Sequence, residues 1–118
     1  MIKITEQYLQ TLAEIKWAEY CEIFPKLVKF DCPKIILNNR LTATGGRCFA
    51  WLNKVDLATK FFVNNQDAML RITLPHELAH QIDWNLNGDH KNKHHRQSWK
   101  NIMIKIGLPD DRCHNMVL

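Results

Sequence analysis

No apolar run in this 118-residue chain approaches the roughly 18 residues that a membrane-crossing helix needs, so no membrane span is expected. The opening "MIKITEQYLQ" turns polar and acidic too early for a secretory leader, which makes the cytoplasm, or association with the nucleoid, the default location. There is no internal repeat, low-complexity stretch or linker, and the length suits one domain over 1–118. Cys21, Cys32, Cys48 and Cys113 never form C-x-x-C, which speaks against a structural cysteine-type zinc site. They are expected to be reduced, partly buried thiols. A net charge of +4 permits contact with phosphates but does not demand it.

Local patterns supply the elements. "TEQYLQTLAEIKWAEYC" (5–21) reads as a helix capped by Thr5, with Glu6 favourable in the first turn and an apolar stripe of Tyr8, Leu12 and Ile15, with Leu9 beside it. Pro25 closes this region. "PKIILNN" (33–39), "RCFAWL" (47–52) and "KFFVNN" (60–65) read as three short strands, with turns marked by Asn38-Asn39 and Gly45-Gly46. The expectation is an α+β domain, mainly helical, with a small three-stranded antiparallel sheet. A helical stretch starts at Asp67 and stops at Gly88, and Pro75 inside it marks a new first turn or a kink. A last helix runs from about His94 to Ile106, ended by Gly107, and Pro109 prevents resumption.

Within "LPHELAHQID" (74–83) lie His76, Glu77 and His80 in H-E-x-x-H spacing. Two histidines four apart on a helix point the same way, so both imidazoles can reach one metal. The glutamate between them can hold and deprotonate a water whose pKa zinc lowers to roughly 7. Leu74, Leu78, Ile82 and Leu86 give the same helix an apolar face that an idle solvated helix would not need. The plainer alternative is two surface histidines flanking a glutamate.

A third ligand is required. No Glu follows Glu77, which excludes a downstream glutamate ligand. The extended pattern H-E-x-x-H-x-x-G-x-x-H fails at Asp83 and Leu86. Asp83, Asp89, His90, His94, His95 and His114 remain. His95 shares a stripe with Trp99, Ile102, Met103 and Ile106, on the buried face of the last helix, whereas His94 falls with Ser98, Asn101 and Lys105 on the solvent face. His95 is therefore preferred. His90 belongs to a loop that nothing orients, and His114 is expected to pack or hydrogen-bond. In "KNKHHRQSWK", Lys91, Lys93, Arg96 and Lys100 with one aromatic suit phosphate or a stacked base, as well as they suit a solvated loop and helix start.

"PHELAHQ" (75–81), "HHRQSWKNIM" (94–103) and "GLPDDRCHNMVL" (107–118) resemble the SprT-like metalloproteases, the group that includes Spartan-type DNA–protein crosslink proteases. "NNRLTATGGRCFAW" resembles the family's strand–turn segment and "FFVNN" its next strand; the likeness covers roughly 20–118. Arg96 departs from the glycine usual after the third histidine, and the C-terminal zinc ribbon of larger members has no counterpart before Leu118. The resemblance implies a zincin-like domain, Zn2+ held by His76, His80 and His95, Glu77 as general base, and a sheet beside the H-E-x-x-H helix. It also implies a protein substrate bound or crosslinked to DNA, single-stranded DNA among the forms concerned. An edge near the metal, with Arg47–Trp51 as its rim, is expected to pair with extended substrate backbone. Two other functions stay open: a non-catalytic, zinc-structured module that binds DNA or protein, and a zinc hydrolase of another substrate.

Overall fold

The computed structural model describes residues 4–88 and 97–108. Its elements run in the order α1 (Glu6–Ile23), β1 (Lys34–Asn38), β2 (Gly46–Phe49), β3 (Lys54–Ala58), α2 (Phe62–Ala68), α3 (Leu74–Asn87) and α4 (Gln97–Lys105). The architecture is mostly helical with one three-stranded sheet, so the α+β expectation holds. Among the described residues no helix is long and apolar enough to cross a membrane.

Thr5 caps α1, its Oγ1 accepting the Tyr8 N–H at 3.0 Å. The buried stripe of α1 differs from the expected one. Leu9, Ala13, Trp17 and Tyr20 face the core, whereas Tyr8 and Ile15 are 39% and 55% exposed. The spacing of these residues is as helical as that of the expected set. What decides the phase is the sheet and α3, against which α1 packs.

The sheet is mixed, and this corrects the antiparallel expectation. Its order is β1-β3-β2, with β1 parallel and β2 antiparallel to β3. Residues 39–45 carry the chain from β1 to the far edge, and β3 then returns between the two earlier strands. "KFFVNN" is not a strand: Thr59–Phe61 form a 3-10 turn and Phe62 opens α2, which leaves Val63 81% exposed. The third strand is instead "KVDLA", whose Val55 and Leu57 point into the core. "RCFAWL" is strand only to Phe49, and Ala50–Leu52 turn as a 3-10 segment closed by Asn53 at φ 50°.

The two sheet edges are treated differently. On the β1 edge, α1 side chains take the backbone donors: Gln10 Oε1 accepts from Ile35 N and Glu6 Oε2 from Leu37 N, both at 2.8 Å. That blocks further strand pairing there. The β2 edge lies beside α3.

Helix begins before Asp67, at Phe62, and changes pitch on the way to α3. Met69–Thr73 form a π-helical turn. Pro75 then occupies the first turn of α3. A proline there cannot donate to the preceding turn and crowds its carbonyl, and the wider π turn relieves both. Gly88 (φ 81°) ends α3 and Gly107 (φ 84°) ends the last helix, as their positions in the sequence suggest.

Candidate metal centre

Helix α3 presents one face to the core and another to the sheet edge. Leu74, Leu78 and Ile82 are fully buried and anchor it. That fixes the rotation of the helix and so the direction of the residues between them. His76 and His80 come out half-buried on one side, ring centroids 5.1 Å apart. Trp99 of α4 is fully buried against both, 4.8 Å from His76 and stacked on His80 at 5.0 Å with 13° between planes. The stripe formed by Trp99, Ile102 and Met103 is buried as expected.

Glu77 is buried against β2. Burial pushes its carboxyl pKa up to about 8, partly opposed by the Cys48 backbone N–H, which donates to it. His76 Nε2 lies 4.0 Å from Glu77 Oε2. Gly46 makes this approach possible. A Cβ at that position would stand 3.0 Å from Glu77 Cγ and 3.1 Å from both Leu57 Cδ2 and Thr73 Cγ2.

One turn further on, Gln81 is buried and clasps the same strand. Its Oε1 accepts from Cys48 Sγ at 3.6 Å, and its Nε2 donates to the Ala50 carbonyl at 3.1 Å and to Asn85 Oδ1 at 2.9 Å. Asp83, one of the possible third ligands, is buried and accepts from Asn87 Nδ2 at 2.8 Å. The Cys48 thiol is pushed up by burial and by the nearby Glu77 charge. Cys21, Cys32 and Cys48 are free thiols, as expected.

The structure thus brings together His76, Glu77 and His80. Among the described residues no group of three or more His, Cys, Asp or Glu side chains forms a ligand set. His95 lies outside the described residues, as do Asp89, His90, His94 and His114. Of the basic run, Lys100 is half-buried in α4, and Lys91, Lys93 and Arg96 lie outside the described residues. Gly46 and Gln81 were not singled out as site residues. Gly45-Gly46 reads as a turn, yet a glycine at a strand start also signals close approach of another chain segment, and here that segment carries Glu77. Gln81 carries no comparable sequence signal.

The fold and site define a small α+β domain in which an H-E-x-x-H helix lies against the edge of a mixed sheet. The SprT-like family profile matches residues 4–116, and the chain belongs to that family. It is 32% identical over 89 residues to Protein SprT of Vibrio atlanticus, covering 75% of this chain and 52% of that protein. Protein SprT of Pseudomonas entomophila is 42% identical over 57 residues, covering 48% of this chain and 34% of the relative. Protein SprT of Salmonella arizonae is 32% identical over 89 residues, covering 73% and 51%. The chain spans about half the length of the curated relatives it matches. No solved structure matches it.

Proposed function

We propose that this chain is a zincin-like, zinc-dependent metallopeptidase domain that cleaves proteins bound or crosslinked to DNA. His76, His80 and His95 hold the zinc and Glu77 serves as general base. The observation that carries this reading is the pair of imidazoles beside a buried carboxylate. Burial leaves Glu77 short of compensating charge, and a cation held by the two histidines would supply it and draw the carboxyl back toward its ionised form. A purely structural zinc site has no use for that carboxylate. His95 precedes Trp99 by four positions, and Trp99 packs on both imidazoles. That spacing favours His95 over the other donors as the third ligand.

Zinc, when bound, is a Lewis acid that acidifies water and polarises an amide carbonyl. The protein's own residues do the rest. Glu77 accepts the proton of the attacking water and passes it to the leaving amine. Gly46 and the Cys48 N–H set the position of its carboxylate. Trp99 closes the core side of the histidines and excludes water there. The rim from Arg47 to Trp51 is the candidate contact for an extended substrate backbone, which would take the Cys48 N–H from Glu77 as it pairs. The DNA-associated substrate class rests on the family resemblance and on the basic run from Lys91 to Lys100.

Metal analysis and turnover test this together. Wild type is expected to bind about one zinc per chain. His95→Ala should lose most of it and His94→Ala should not; the reverse result would discard His95. Glu77→Gln should keep zinc and fold while turnover on a DNA-bound protein falls by about 100-fold or more. Full activity in Glu77→Gln would rule out its role as base.

A further inference from the structure

Two side chains of α3, four residues apart, reach the edge of β2 that β3 leaves open. The Ala58 N–H donates to the Gly45 carbonyl, so alternation turns the backbone groups of Arg47 and Phe49 toward β3 and those of Cys48 outward. The outward Cys48 N–H goes to the Glu77 carboxylate. Gln81 accepts from the Cys48 thiol on Oε1 at 3.6 Å, and its Nε2 donates to the Ala50 carbonyl at 3.1 Å and to Asn85 Oδ1 at 2.9 Å. Both N–H protons of the carboxamide are thus used, and turning it over would set its oxygen against the Ala50 carbonyl oxygen. The same Ala50 carbonyl accepts the Asn53 N–H at 3.1 Å, which closes the 3-10 turn Ala50–Leu52. Gln81 is 1% exposed, so a bond lost there leaves a buried polar group without a partner.

We infer that Gln81 is a positioning residue: it clamps Cys48 and the Ala50–Leu52 turn to α3, so that the rim keeps its place when a substrate strand takes the Cys48 N–H from Glu77. The inference rests on the peptidase reading of the same site. The two attachments of the edge to α3 differ in kind. Glu77 has to release the strand, because its carboxylate is needed for the water proton. The bonds of Gln81 lie beneath the strand, out of reach of substrate, and stay made. They tie the rim to the very helix that carries His76, Glu77 and His80, which fixes the distance between a bound backbone and the reacting groups. Packing alone would be served by a methionine of nearly the same shape. The bonds to Cys48 and Ala50 are what a positioning role requires.

Gln81→Met keeps the volume and removes the bonds. In the full chain, amide hydrogen exchange read by mass spectrometry should speed about tenfold over residues 48–53 and stay within about twofold over 55–58 and 76–83. Zinc content and circular dichroism should be unchanged. On a fluorescein-labelled peptide of about 20 residues crosslinked to oligo-dT, KM should rise about tenfold with kcat within about threefold of wild type. The inference is overturned if exchange over 48–53 stays within about twofold of wild type, or if it speeds equally over 55–58, as a merely structural role would have it. It is equally overturned if kcat falls about tenfold with KM unchanged, which would put Gln81 in the service of Glu77 rather than of the rim. Faster exchange confined to 48–53, with no cleavage by wild type, would keep the clamp and reject the peptidase reading. Should Gln81→Met not fold, Asn85→Ala removes the one bond at the half-buried end, and exchange over 48–53 should speed about threefold; no change there would overturn the inference as well.

Discussion

Replacing Gly46 by alanine adds one methyl group at the point where β2 meets α3. At most strand positions that change would help, since it removes unfolded-state freedom worth about 0.4–1 kcal/mol. Here the new Cβ would stand 3.0 Å from Glu77 Cγ, 3.1 Å from Leu57 Cδ2 and 3.1 Å from Thr73 Cγ2. None of the three can yield freely. Leu57 is fully buried, Thr73 is locked in the π turn, and Cγ is the middle of the Glu77 side chain rather than its tip. Overpacking of this kind costs about 1–3 kcal/mol, so the net effect should be a loss of roughly 1–2 kcal/mol. Urea unfolding should report it as a lower midpoint with unchanged slope. Thr73→Ser removes one of the opposing methyl groups and keeps the hydroxyl, so the double variant should recover part of the loss. Turnover should fall several-fold as well, because a 1 Å misplacement of a reacting group costs about 100-fold and a few tenths of an ångström proportionately less. A Gly46→Ala protein as stable as wild type would refute the close approach of β2 to Glu77.

Gln10→Ala should cost about 1–2 kcal/mol in urea unfolding, because it strips the acceptor from the Ile35 N–H at the β1 edge. A loss under about 0.5 kcal/mol would mean that water replaces the bond without penalty. Stability should also fall on the alkaline side. Burial, with Glu14 and Cys21 adding to it, pushes the Cys32 thiol up to about 12, and Cys48 is raised by burial and Glu77. Unfolded thiols ionise near pH ~8.5, so above that pH the folded state holds more protons than the unfolded one. The stabilisation is complete below about pH 8.5 and is lost as pH climbs toward 12. Urea midpoints should therefore drop between about pH 8 and 9.5, and less so in Cys32→Ser/Cys48→Ser. Equal drops in both proteins would assign the effect to other groups.

Features that depend on a few neighbouring residues were legible in the sequence. Thr5 caps α1 because an Oγ needs only the N–H three residues on. Gly88 and Gly107 end helices because glycine, lacking a Cβ, adopts a positive φ at least cost. Leu74, Leu78 and Ile82 at four-residue spacing, and Trp99 with Ile102 and Met103 three and four residues on, are buried because helical periodicity holds each set on one face. The misreadings share a cause. "KFFVNN" is short, apolar and aromatic, a composition that helix and strand share, and packing of Phe61 and Phe62 in the core chose helix. "KVDLA" alternates as an inward-facing strand should, but its charged residues masked it beside the stronger apolar runs.

The sequence by itself determined that His76, Glu77 and His80 project from one helix, since helical geometry follows from residue spacing alone. Only the tertiary structure decided what surrounds them. Insertion of β3 between β1 and β2 made β2 an edge. Gly46 let that edge close on Glu77, Gln81 fastened it to α3, and Trp99 came from a distant helix to stack on His80. The contacts of Gly46 with Glu77, Gln81 with Ala50 and Trp99 with His80 join residues 19 to 31 positions apart in the chain. Their partners are chosen by shape and burial across the whole core, which no local pattern encodes.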